Sequence, residues 1–150
     1  MAFHNILIPT DFSHAAWHAV QLGIDIVQNQ ESRITLLHVY PDAAKFDRRK
    51  SLLNAGDHDV MDAIKGKMDE FCRYLRKQTT SEIYPVMLIG DVEGEIIKSI
   101  VDQPYDLVIM GVNSNGLNNQ PGTHLNSIIK NIHAPVLVVP NKLIPEKIAV

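Results

Sequence analysis

Short runs that are apolar at nearly every position, rather than at alternate ones, limit the folds open to this chain more than anything else. They are Ile6-Leu7-Ile8, Ile34-Thr35-Leu36-Leu37-His38-Val39, Leu107-Val108-Ile109-Met110 and Val136-Leu137-Val138-Val139. Each is far too short to cross a membrane. A strand with apolar side chains on both sides of its pleat must be covered on both, which is the situation of a parallel sheet. Between the runs the period becomes helical. Ala16, Ala19, Val20, Gly23, Ile24 and Val27 recur at three- and four-residue spacing over 15–27, with Ser13 positioned as N-cap. Met61, Ile64, Met68, Phe71 and Leu75 form a core stripe over 60–75. Ile96, Ile97, Ile100 and Val101 mark a shorter helix after Gly90-Asp91, and another helix is expected over 123–132. Residues 83–89 supply the remaining strand, and Pro85 points to an edge position for it. Residues 42–57, which contain Asn54-Ala55-Gly56-Asp57, lack a clean period and read as a mobile connection with room for one short helix. The alternation predicts an α/β protein: a doubly wound, five-stranded parallel sheet with helices on both faces, as a single domain over 1–150.

Charge and composition exclude several classes of function. Lys and Arg number 14 against 17 Asp and Glu, for a net charge of −3, so neither nucleic acid nor an anionic membrane is expected as partner. Lys45, Arg48, Arg49 and Lys50 form a basic run that reads as solvated. The start of the chain has no leader-like pattern and no apolar run approaches 18 residues, so a cytoplasmic location is expected. Cys72 is the only cysteine, which rules out an intrachain disulfide. Its acidic neighbours Asp69 and Glu70 disfavour a thiolate, leaving a structural role. His14 and His18 share a helix face without a carboxylate to complete a zinc set, and no metal is expected. The chain has no G-x-S-x-G nucleophile turn and no G-x-G-x-x-G after its first strand. Ester hydrolysis and dinucleotide-dependent hydride transfer are thereby disfavoured.

Two strand ends carry the candidate chemistry. The first strand breaks at Pro9 and leads into Thr10, Asp11 and Ser13. From its position, Asp11 suits either of two roles: an acceptor for a base amino group or a ribose hydroxyl, or a residue that favours a helix start. The fourth strand ends at Gly111 and opens into residues 111–123, which include Gly116, Gly122 and Thr123. Glycines there let backbone approach a phosphate, and free amides at the next helix start supply donors. Taken alone, the Gly/Asn/Pro content favours a surface loop. The loop has no Lys or Arg, so His124 and helix dipoles would have to meet a phosphate's charge, and it is no P-loop. In an open parallel sheet, ligands bind at the carboxyl ends of strands where successive connections diverge. The two strand ends are therefore expected to face each other across one crevice.

In order along the chain, ILIPTDFS, LLHVY, GDVEGEII, DLVIMG and APVLVVP resemble the universal stress protein family, and the likeness runs from Ile6 to Val139. The resemblance implies strand order 3-2-1-4-5, an adenine nucleotide alpha hydrolase-like fold, and a non-catalytic stress-response module. It also implies a homodimer paired through Val136 to Val139. Family members that bind ATP carry G-x2-G-x9-G-[ST] after the fourth strand, and other members lack it. Gly111 matches the first glycine, while Gly122-Thr123 match the last glycine and hydroxyl counted back from Pro135. Ser114 stands where the second glycine belongs, Gly116 follows two residues on, and the stretch from Gly111 to Gly122 is two residues short. By resemblance, Pro9, Thr10, Asp11, Val39 and Met110 would hold the base and ribose of ATP or another adenine nucleotide. Gly111, Gly116, Gly122, Thr123 and His124 would lie toward its phosphates. The rival readings are a protein-interaction homodimer with an empty crevice and a slow ATPase using His124.

Overall fold

A computed structural model describes residues 3–27, 31–41, 55–112 and 122–140. In chain order the elements are β1 (Asn5–Pro9), α1 (His14–Ile26), β2 (Arg33–Pro41), α2 (Ala55–Arg76), β3 (Glu82–Gly90), α3 (Val92–Asp102), β4 (Leu107–Val112), α4 (Gly122–Asn131) and β5 (Val136–Pro140). The strands form one parallel sheet in the order β3-β2-β1-β4-β5, as the resemblance implied.

The apolar runs divide by the two-residue period of a strand. Ile6, Ile8, Ile34, Leu36, Leu107 and Ile109 face one side, where α1 and α2 cover them with Ala19, Val20, Ile24, Met68, Cys72 and Leu75. Leu7, Leu37, Val39, Val108 and Met110 face the other side, beneath Ile96 and Ile100 of α3 and Ile128 of α4. Sinking one such aliphatic side chain fully contributes about 1.5–3 kcal/mol. Each layer therefore depends on its covering helices.

Helix α1 lies unusually close to the sheet because it presents small residues to it. Ala15, Ala16, Ala19 and Gly23 are all buried. A Cβ at Gly23 would stand 2.8 Å from Ile8 Cδ1. Ser13 caps this helix as expected, its hydroxyl accepting from Ala16 N at 3.2 Å.

Several boundaries differ from the sequence reading. Helix α2 starts at Ala55, so Ala55, Gly56 and Asp57 are helical, while residues 42–54 of the expected connection lie outside the described residues. Its opening turns are polar, and Asp57 and Asp59 suit a helix N-terminus, so no apolar period announces them. Strand β3 is at the sheet edge, where the absent N–H of Pro85 is tolerated. Strand β4 continues through Gly111 and Val112, which pair with Val139 and Pro140. Gly111 is therefore a strand residue and not the first residue of a loop. Helix α4 begins and ends one residue earlier than expected.

Candidate functional site

Strands β1 and β4 are neighbours, in register at Ile6–Leu107 and Leu7–Val108. Continuing that register puts Thr10 level with Gly111, so the two strand ends singled out in the sequence meet at one end of the sheet. Beyond them α1 leaves toward one face and α4 covers the other. This divergence makes the crevice expected at a topological switch point. Both helices turn their N-termini, the positive ends of their dipoles, toward this end of the sheet.

The β1 side is a tightly bonded turn. Buried Thr10 extends the ladder, its N–H donating to the Leu37 carbonyl at 2.8 Å. Its hydroxyl accepts from Phe12 N at 3.1 Å. Asp11 is exposed, and its Oδ1 accepts from Ser13 N at 2.9 Å in an Asx-type turn. The helix-start role weighed for Asp11 is thus real, but a carboxylate has several lone pairs and keeps acceptor capacity for a ligand. Phe12 between them adopts a left-handed φ of 64°.

Val39 supplies a different kind of group. In a parallel strand, alternate residues direct their backbone groups to opposite neighbours. The Leu37 carbonyl bonds toward β1, so Val39, two residues on, directs its N–H and C=O the same way. The β1–β2 register ends at Pro9–Leu37, however, and β1 has turned off into α1. Val39 thus presents a donor and an acceptor at the crevice beyond the last ladder bond. The side chains of Val39 and Met110 are buried on the α3/α4 face, and Pro9 is half-buried at the end of β1.

Gly111 has a reason of its own to be glycine. A Cβ there would collide with the Ala15 carbonyl in the first turn of α1. The glycine permits helix and strand backbones to touch, whatever approaches from solvent. Gly122, Thr123 and His124 belong to the first turn of α4, whereas Gly116 lies outside the described residues. Among the described residues, no group of three or more His, Cys, Asp or Glu could hold a metal ion. Cys72 is buried, and burial pushes its thiol pKa up, with Asp69 adding to the effect and Arg76 opposing it.

Two residues at the site escaped the sequence reading. His38 Nδ1 lies 2.7 Å from the Thr10 carbonyl, and its ring lies 4.8 Å, centroid to centroid, from that of Phe12. A histidine near the carboxyl end of a largely apolar strand was the available signal. At the opposite end of the sheet a polar cavity of about 540 Å³ is lined by Ile24, Asp25, Arg76, Lys77, Gln78, Thr79 and Thr80. It gathers the C-terminal ends of α1 and α2, whose dipoles disfavour anions.

The sequence model of the universal stress protein family matches residues 2–140. This chain belongs to that family. Universal stress protein MJ0577 of Methanocaldococcus jannaschii is 27% identical over 159 aligned residues, covering 93% of this chain and 96% of that protein. A solved structure of MJ0577 superposes with a TM-score of 0.77 at 25% identity, over 93% of this chain and 97% of that one. Two nucleotide complexes of the family share the fold. The Archaeoglobus fulgidus protein with dAMP has a TM-score of 0.66 at 14% identity, covering 93% and 99% of the two chains. The Arabidopsis thaliana protein with AMP has a TM-score of 0.63 at 17% identity, covering 91% of each. Among the described residues of this universal stress protein, no helix is long and apolar enough to cross a membrane.

Proposed function

We propose that this universal stress protein is a non-catalytic, cytoplasmic regulatory module that binds an adenine nucleotide between β1 and β4. The observation that carries the reading is the open backbone edge of Val39 beside the Asp11 turn. An adenine ring offers an amino donor and ring-nitrogen acceptors along one edge, and Val39 presents the complementary pair. Asp11 meets the base or ribose, and Pro9, Thr10 and Met110 surround them. The backbone of Gly111, Gly122 and Thr123 lies toward the phosphates, while the contacts expected of Gly116 fall outside the described residues. Relatives of the same fold bound to AMP and dAMP support the choice of ligand. Titration calorimetry of the folded protein with ATP, ADP and AMP is expected to give saturable heat. Silence at millimolar nucleotide would overturn the reading.

A second reading, a protein-interaction homodimer with an empty crevice, is favoured by Gly111. Its glycine is explained by contact with Ala15, and the stretch to Gly122 is two residues short of the ATP-binding pattern. In either reading the protein pairs through edge strand β5, where Val138 is 37% exposed. Native mass spectrometry is expected to show a dimer that Val138→Lys converts to monomer. Slow ATP hydrolysis through His124 is the least supported alternative. Phosphate release with ATP is expected to stay at the buffer rate and to be unchanged by His124→Ala.

A further inference from the structure

We infer that His38 is a positioning residue that latches the Asp11 turn, and so sets the affinity of the crevice for the nucleoside part of its ligand. The inference rests on the nucleotide reading for its consequence, but not for its geometry. The Thr10 carbonyl can only accept, so the Nδ1 at 2.7 Å carries the proton and donates. His38 thereby ties Thr10, the first residue after β1, to β2, past the point where the β1–β2 register ends at Pro9–Leu37.

The turn needs such a tie. A bulky aromatic residue at φ 64° sits in a region that side chains other than glycine rarely occupy, and it persists only where its surroundings over-determine it. Three side-chain bonds hold this one: Phe12 N to Thr10 Oγ1, Ser13 N to Asp11 Oδ1, and His38 Nδ1 to Thr10 O. The first two lie within the turn and move with it. The third reaches β2, to which the Thr10 N–H is already bonded through the Leu37 carbonyl, and it holds the Thr10 group nearer the turn. The His38 ring also packs on Phe12, whose other neighbour is Phe71 of α2, 6.3 Å away between centroids. Without the latch, Phe12 can relax to an ordinary φ. That rotation redirects the peptide carrying Asp11, the exposed carboxylate at the mouth.

The roles of donor and ring can be separated by substitution. His38→Asn keeps an N–H near the Nδ1 position and loses the ring, whereas His38→Phe keeps a ring and loses the donor. Amide hydrogen exchange in the nucleotide-free protein should be about ten-fold faster at Phe12 and Ser13 in His38→Phe, the worth of one lost hydrogen bond. The buried strand amides of Leu7 and Val108 serve as controls for global unfolding, and His38→Asn should stay within about two-fold of wild type at Phe12 and Ser13. Calorimetry should show adenosine, AMP and ATP weakened by one common factor in His38→Phe and restored in His38→Asn. Wild-type exchange at Phe12 and Ser13 in His38→Phe would overturn the latch, as would equal failure of both variants. A loss that grows with phosphate number would overturn its assignment to the nucleoside side. If wild type binds no adenine nucleotide, the proposed function falls, and the exchange comparison still decides the latch.

Discussion

The two ends of the sheet treat their backbone polar groups in opposite ways. At the amino-terminal end, side chains meet several of the backbone groups. The Asp106 carboxylate accepts from His4 N at 2.8 Å and Asn5 N at 3.1 Å, and the Ser32 hydroxyl donates to the Phe3 carbonyl at 2.8 Å. Arg33 pairs with Glu82 at 3.0 Å across the exposed edge. At the carboxyl end, β1 swings away after Thr10 and, among the described residues, leaves the Val39 ladder groups without a strand partner on that side beside the Asp11 turn. The same secondary structure thus meets its terminal backbone groups with side chains at one end and leaves the ladder to stop early at the other.

If that division is sound, substitutions at the amino end should cost stability without changing binding, and those at the carboxyl end the reverse. The largest expected effect is a deliberate exception. Gly111→Val lies at the carboxyl end but drives a side chain into the Ala15 backbone, and should cost about 3 kcal/mol or more of folding stability. Chemical unfolding would show it, and a variant as stable as wild type would refute the helix–strand contact. Asp106→Ala comes next. It orphans the His4 and Asn5 amides, for a loss of about 1–3 kcal/mol, with nucleotide affinity unchanged by calorimetry. Asp11→Ala should weigh the other way, weakening adenosine and AMP about ten-fold, or ~1.4 kcal/mol, with a smaller loss of stability of about 0.5–1 kcal/mol from the missing Ser13 bond.

The smallest effect comes from Cys72, remote from both ends. Burial holds its thiol protonated to higher pH than in the unfolded chain. As pH rises through the ordinary thiol range, the unfolded chain ionises first, so stability should fall slightly there. The decline should vanish in Cys72→Ala. Alkylation of the wild-type thiol should be slow until the protein is unfolded.

Much of this was legible in the sequence because burial on both faces leaves runs such as Leu107 to Met110 that few other folds need. The edge position of β3 could be read from Pro85, and the α1 cap from Ser13. What was missed has a common cause. Periodicity reports contacts with the core, so the polar first turns of α2 at Ala55 to Asp59 gave no signal. Glycine is ambiguous in a related way. At Gly111 the sequence suggested room for a ligand, whereas the structure puts the Ala15 carbonyl there. His38 and Phe12 could not be paired from sequence, because their contact depends on the register of β2 against β1 and on the left-handed turn at Phe12. Asp11 was singled out from its place after a strand, and the helix-start role weighed for it is present in its bond to Ser13 N.

The contact between Ala15 and Gly111 has a mechanical consequence. The register between β1 and β4 consists of two residue pairs, fewer than between any other adjacent strands, so it is the natural seam of the sheet. Helix α1 straddles that seam with its backbone pressed on β4, acting as a clasp between β3-β2-β1 and β4-β5. A clasp of this kind couples the two parts of the sheet, so that β3-β2-β1 and β4-β5 move as one block.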